Sequence, residues 1–151
     1  MGAVTYPDQK VAEFINTNLV PVQLLYNTKP YADDFNIQWT PVVVILDESG
    51  KEHFRSVGFL PPEEFISSAL LGMLKVHFDL KKYREALDVA DILTRDFPKS
   101  KAIPETIYWQ GVASFEDTND PQYLKAAYKK LKAEYPSSEW TQRAEPYNLL
   151  P

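Results

Sequence analysis

Trp39-Thr40-Pro41-Val42-Val43-Val44-Ile45-Leu46-Asp47-Glu48-Ser49-Gly50-Lys51-Glu52-His53-Phe54-Arg55-Ser56-Val57-Gly58-Phe59 is the stretch from which the fold is read. The six residues from Pro41 to Leu46 have no polar side chain and four of them are β-branched, which suits a short strand buried on both faces. Asp47-Glu48-Ser49-Gly50 supplies turn chemistry, with Gly50 free to take a positive φ. His53, Arg55 and Val57 then alternate with Phe54, Ser56 and Gly58, the rhythm of a second strand running back beside the first. Thr40-Pro41 stands at the head of this hairpin. Proline has no N–H for the ladder and belongs at a strand's first residue or edge.

On the N-terminal side, Thr5 lies three residues ahead of Asp8, a capping-box-like start, and Pro7 fits a first helical turn. Val11, Phe14 and Ile15 mark a short amphipathic helix ending near Asn18. From Leu19 to Tyr26 the residues Val20, Val22, Leu24 and Tyr26 share one face, with Pro21 near the entrance, so a third strand is expected there. Asn27 to Gln38 reads as a loop with a short helix around Tyr31 to Phe35.

On the C-terminal side, Pro61-Pro62-Glu63-Glu64 opens a helix, with proline in its first turn and carboxylates at its positive end. This helix, about 62–78, carries two apolar stripes: Ile66, Ala69, Leu70 and Met73, then Leu71, Leu74 and Phe78. Two stripes require cover on more than one side, so it is expected to be shared by the sheet and the helices that follow. Tyr83, Ala86, Leu87, Ala90, Leu93 and Phe97 form a further helical stripe, and Leu124, Ala127, Tyr128, Leu131 and Tyr135 another. Each ends in an aromatic-proline pair, Phe97-Pro98 and Tyr135-Pro136, with the prolines 38 residues apart, which signals an internal repeat. Pro104 to Phe115 lies between them, Asp120-Pro121 starts the next helix, and Trp140 to Leu149 is expected as a closing helix interrupted near Pro146.

Composition removes several classes of function. The 151 residues are 44% hydrophobic and 25% charged, with a formal net charge of −5 and no face-long run of Lys or Arg, so nucleic acid is not an expected partner. Apolar runs fall short of the ~18 residues that span a bilayer, and Met1 to Val4 is neither charged nor long enough for a signal peptide. The expected compartment, as written, is the cytoplasm. A natural start farther upstream would make the periplasm or envelope the alternative. The chain has no cysteine, which removes thiolate nucleophiles, thiolate metal ligands and disulfides together. His53 and His77 are the only histidines, and no metal-ligand spacing accompanies them. Glu63-Glu64 and Asp33-Asp34 are adjacent carboxylates that point to different sides, fit for capping and solvation and not for acid-base work. No nucleophile-elbow motif or glycine-rich phosphate loop is present, so no cofactor and no catalytic residue is expected.

The pattern Thr-Pro, apolar strand, Asp-x-x-Gly turn, returning strand ending in Gly-Phe, then helix resembles the second half of the thioredoxin fold. Tyr6 to Asn16 followed by Leu19-Val20-Pro21-Val22 resembles the helix and strand after the active site in thioredoxin-like disulfide reductases. The resemblance implies that the proline at the place of Pro41 is cis and faces a Cys-x-x-Cys motif, and that the residue before it pairs main chain to main chain with an extended peptide. The C-terminal half, roughly 66–147, resembles tetratricopeptide repeats, with Tyr83, Ala86 and Pro98 at the family's spacing and Tyr108-Trp109-Gln110-Gly111 and Pro136 in a looser second unit. Tyr-Trp-x-Gly followed by Tyr-Pro-x-Ser is closest to the repeats of bacterial envelope lipoproteins and assembly factors. The unit is longer than the usual ~34 residues, and the surplus is expected in the loop Glu116 to Asp120.

Together these imply an α+β or α/β fold class: a truncated, three-stranded thioredoxin-like sheet over 1–65 and an all-α tetratricopeptide-like array over 66–151. The residues the resemblance offers for peptide binding are Trp39, Thr40 and Pro41, and, in the repeat region, Tyr108, Trp109 and Trp140. Against this stand a structural turn for the first three and helix-helix packing for the aromatics. The family's central strand and its Cys-x-x-Cys are not found, and the family's Cys-x-x-Cys-x-x-Met spacing would place Met1 three residues after the second cysteine. The exposed backbone is expected to be covered either by Leu19–Tyr26 pairing with Pro41–Asp47 or by a second copy, giving a homodimer through sheet edges. The chain as written is thus expected to be a non-catalytic protein that binds a protein or peptide partner. The alternative is an incomplete copy of a thiol-disulfide oxidoreductase whose Cys-x-x-Cys lies upstream of Met1.

Overall fold

A computed structural model describes residues 1–150. The elements are α1 (Gln9–Asn18), α2 (Tyr31–Asp34), β1 (Val42–Leu46), β2 (Glu52–Val57), α3 (Pro62–Asp79), α4 (Tyr83–Asp96), α5 (Ile103–Thr118), α6 (Gln122–Glu134), α7 (Glu139–Ala144) and a closing 3₁₀ turn, Glu145–Leu149. The chain divides into two compact units, Met1–Ile66 and the residues from Ser67 onward. It is mixed α+β: a small sheet followed by a helical array. None of its described helices is long and apolar enough to cross a membrane.

In the first unit α1 is started by Asp8, whose carboxylate accepts from the backbone of Lys10 at 2.9 Å and Val11 at 3.2 Å. Thr5 does not cap. Its side chain is buried and donates 2.6 Å to the carbonyl of Leu60, a long-range tie that outcompetes the local one. Tyr6 meets Phe65 edge to face at 5.7 Å, and Val11 is fully buried. β1 and β2 form an antiparallel hairpin pairing Val42 with Val57, Val44 with Arg55 and Ile45 with Phe54, and the register shifts between Ile45 and Leu46. The turn is fixed by Asp47, whose Oδ1 accepts from the backbone of Ser49 (2.9 Å) and Lys51 (3.0 Å), while Gly50 takes φ 83°. The N–H of Gly58 donates 2.8 Å to the carbonyl of Pro41 and closes the open end of the hairpin.

The sheet has two strands, not three. Leu19 to Tyr26 forms neither a strand of its own nor a pair with Pro41–Asp47. Residues 20–24 make no hydrogen bond within the described chain, and Val20 is 92% and Val22 76% exposed. The reason is that a strand, unlike a helix, cannot satisfy its own backbone: without a neighbouring ladder those N–H and C=O groups turn to water whatever the side-chain rhythm. Pro21, which lacks an N–H, weakens any ladder further.

In the second unit the apolar stripes become the core. Ala86, Val89, Ala90 and Leu93 of α4, Ile103, Ile107 and Ala113 of α5, and Leu124, Ala127, Tyr128 and Leu131 of α6 are all buried. α5 packs between α4 and α6, and α7 lies against α5 and α6. α5 and α6 approach so closely at Gly111 that a Cβ there would come within 2.4 Å of the Ala127 methyl. The loop expected at Glu116–Asp120 is shorter than anticipated, because α5 continues to Thr118 and ends on Asn119 in the left-handed region at φ 58°. Past α6, Ser138 caps α7 by accepting from Trp140 at 3.2 Å, and the helix gives way to the 3₁₀ turn beside Pro146.

Candidate functional site

Trp39, Thr40 and Pro41 lie on the approach to β1, and the chain there is shaped by its neighbours in sequence. Asn36 adopts φ 47°, a conformation asparagine tolerates better than most residues, and its side chain accepts 2.6 Å from Gln38. The peptide bonds Lys29–Pro30 and Thr40–Pro41 are both cis. Trp39 stands 71% exposed at an open groove of about 270 Å³, lined by Tyr26, Ile37, Gln38, Trp39 and Thr40. A second, adjoining hollow is lined by Asn36, Ile37, Gln38, Trp39, Val42, Arg55 and Val57.

Arg55 supplies the charge beside the groove and is held rigidly. Its Nε and Nη2 donate to the two carboxylate oxygens of Glu52 at 2.8 and 2.7 Å, and Nη2 also reaches the carbonyl of Phe35 at 2.7 Å. The bidentate bond holds the Glu52 carboxyl below its usual range and raises Arg55. Sequence reasoning missed both Tyr26, read as a strand residue, and Arg55. The second was within reach, because Arg55 and Val57 share a face of β2.

At the turn, His53 Nε2 lies 2.9 Å from Asp47 Oδ2, with the two side chains 1% and 6% exposed. That contact, followed by the Ser49 hydroxyl at 2.6 Å from Oδ1, holds the Asp47 carboxyl well below the ordinary carboxylate range. All its oxygens are thereby spent on the turn, which makes the pair an architectural lock. Among the described residues no three of His, Asp and Glu converge as a metal would require.

The aromatic candidates of the repeat region do come together, in the second unit. Tyr108 packs 5.6 Å from Trp109, 5.2 Å from Trp140 and 5.8 Å from Tyr147, ring centre to ring centre. Tyr147 donates 2.9 Å to the Tyr108 hydroxyl, and burial, then that bond, pushes the Tyr147 phenol up. Trp109 is also 4.9 Å from Phe78 and donates from Nε1 to Glu105 at 3.2 Å, while Glu105 pairs with Lys75. Lys75 and Arg143 lie over the rings of Trp109 and Trp140 at 5.7 and 4.7 Å. Each ring is half-buried and lies within 6.5 Å of at least one other ring, so the cluster works as a packed joint between α5, α7 and the closing turn. Tyr123, by contrast, is 45% exposed and stands outside it.

The groove presents an exposed ring, the Gln38 amide and backbone leading straight into β1, and Asn36 and Arg55 line the adjoining hollow. Neither the curated proteins nor the solved structures contain a match to this chain. A family model, however, matches residues 3–70, which take in α1, the groove, the hairpin and the start of α3, and this part of the chain is a thioredoxin-like domain.

Proposed function

We propose that this is a non-catalytic interaction protein in which the thioredoxin-like domain holds an extended peptide across Trp39, Thr40 and Pro41, joined to a tetratricopeptide-like helical array. The observation that carries the reading is Trp39, a tryptophan 71% exposed beside an open groove, the residue type that most often anchors a bound partner. The absence of any cysteine from the 151 residues leaves no thiol to exchange electrons with a disulfide. The helices from α4 to α7 support the second half of the reading through their two stripes of matching spacing, each closed by an aromatic-proline pair. With Tyr108, Trp109 and Trp140 occupied by one another, the groove of the first unit is the better peptide site.

The test is a titration with reduced, carboxymethylated α-lactalbumin as a permanently extended chain, followed by tryptophan fluorescence and calorimetry. Trp39→Ala is expected to weaken binding about tenfold, the loss of one stacked aromatic anchor, and Trp109→Phe to leave it unchanged. Equal affinity in the native chain and Trp39→Ala would discard the groove. Insulin disulfides should be reduced no faster than by the added thiol alone, and turnover above that rate by purified protein would discard the non-catalytic half. The thioredoxin-like match favours a second reading, a thiol-disulfide oxidoreductase whose cysteines lie outside residues 1–151. Reading the gene in frame upstream decides it, since a strand followed by Cys-x-x-Cys supports that reading and an early stop codon ends it.

A further inference from the structure

Val20, Val22, Leu24, Leu25 and Tyr26 are 92%, 76%, 48%, 77% and 69% exposed, and residues 20–24 form no hydrogen bond within the described chain. Unpaired backbone and exposed apolar side chains thus coincide on one short segment, the combination that invites strand pairing. Pro21 restricts Val20 to extended backbone, so the segment is already biased toward a strand. From Leu19 to Thr28 it carries no charge, in a chain of net charge −5. A strand of this kind meets an identical strand with no like charges opposed, whereas any charged segment placed there would lose solvation.

We propose that residues 20–26 pair antiparallel with the same residues of a second copy, about a two-fold axis at Gln23. The register follows from which backbone groups are available. With Gln23 opposite Gln23 as a non-hydrogen-bonded pair, Val22 and Leu24 exchange hydrogen bonds, the N–H of Tyr26, where the chain begins to turn, donates to the Val20 carbonyl, and Pro21 falls opposite Leu25 at a position that needs no N–H. The Leu25 carbonyl, which accepts 2.9 Å from Thr28, then points away from the partner and keeps its bond. On one face this stacks Val22 against Leu24 and Val20 against Tyr26, aliphatic and aromatic pairs of the stabilising kind. On that face the Val20, Val22, Leu24 and Tyr26 side chains, 48–92% exposed in one chain, partly cover those of the second copy. This pairing goes beyond the peptide reading and does not depend on it: one is read by mass and cross-linking, the other by peptide titration.

Because the chain has no cysteine, Gln23→Cys introduces a single thiol. Non-hydrogen-bonded partners have Cα atoms about 4.5 Å apart, within disulfide reach, whereas two copies of residue 20 would stand about 20 Å apart. Light scattering at ~100 μM should give twice the chain mass, and Val22→Lys, which sets a cation near its two-fold mate, should weaken association at least tenfold. Mild oxidation should link Gln23→Cys into a covalent dimer and leave Val20→Cys unlinked, although Val20 is 92% exposed. A native chain that remains monomeric, a dimer indifferent to Val22→Lys, or Val20→Cys linking as fast as Gln23→Cys would each overturn the proposal.

Discussion

Leu131 and Val20 are both aliphatic residues in stretches with regular apolar spacing, yet Leu131 is fully buried and Val20 is 92% exposed. The difference lies in where the backbone finds its partners. A helix such as α6 closes its own hydrogen bonds, so an apolar stripe needs only a neighbouring helix to complete its burial. The segment around Val20 needs a ladder from another strand before its side chains have any surface to pack against. Apolar periodicity is therefore close to sufficient for the helical second unit and only half of the requirement for the sheet of the first.

The sharpest way to break this comparison is to truncate one side chain on each side of it. Leu131→Ala removes a side chain of α6 that has no solvent exposure, and should cost about 2–5 kcal/mol of stability in guanidinium unfolding followed by helical circular dichroism. Leu25→Ala, at 77% exposure, should stay within about 0.5 kcal/mol. Similar costs for the two would mean that the exposed segment is packed in solution. A smaller effect is expected at Gly111→Ala. Helix propensity alone would favour alanine by about 1 kcal/mol. The added methyl meets Ala127 at 2.4 Å and the Tyr123 carbonyl at 3.2 Å, and pushing α5 from α6 should turn that gain into a net loss of about 1–3 kcal/mol. A stabilised Gly111→Ala protein would show that the α5–α6 contact yields easily.

The hairpin and the helices were legible because their signals are local. Val42 to Leu46, the Asp47 to Gly50 turn, the prolines at positions 62 and 104 and the stripes through Leu93 and Leu131 all carry their structure within a few residues. Leu19 to Tyr26 was misread for the complementary reason: its alternation is strand-like, but nothing in those eight residues can say whether a partner exists. Thr5 was misread likewise, because its hydroxyl reaches Leu60, 55 residues away. Of the candidate site, Trp39 to Pro41 was proposed from the pattern that follows it in sequence. Tyr26 enters the groove lining and Arg55 the adjoining hollow only once the chain has folded back, and the contacts that Tyr108, Trp109 and Trp140 make with one another were invisible in the sequence.

The two units should also answer acid differently, and here the expected effect is smallest and most local. Buried polar side chains in the second unit include hydroxyls that do not titrate: Thr141 donates 2.6 Å to the Tyr135 carbonyl, Thr106 donates 2.8 Å to that of Ala102, and Ser67 bonds Ser100. The hairpin of the first unit instead depends on the Asp47 carboxylate, held below its ordinary value by His53 first and Ser49 second. A lowered folded-state pKa means that the ionised form is the one folding favours. Its contribution is complete above the unfolded value near ~3.9 and is lost as pH falls below that toward the folded value. Between about pH 5 and pH 2, exchange protection of the Ser49 and Lys51 amides, corrected for intrinsic rate, should therefore fall while that of the Leu131 amide holds. Asp47→Asn keeps the shape but not the charge, so it should lower protection at neutral pH and flatten the acid profile. If the Asn hairpin keeps the native profile, another group governs the turn. If it loses protection at both ends of the range, the carboxylate was needed for its geometry as well as its charge.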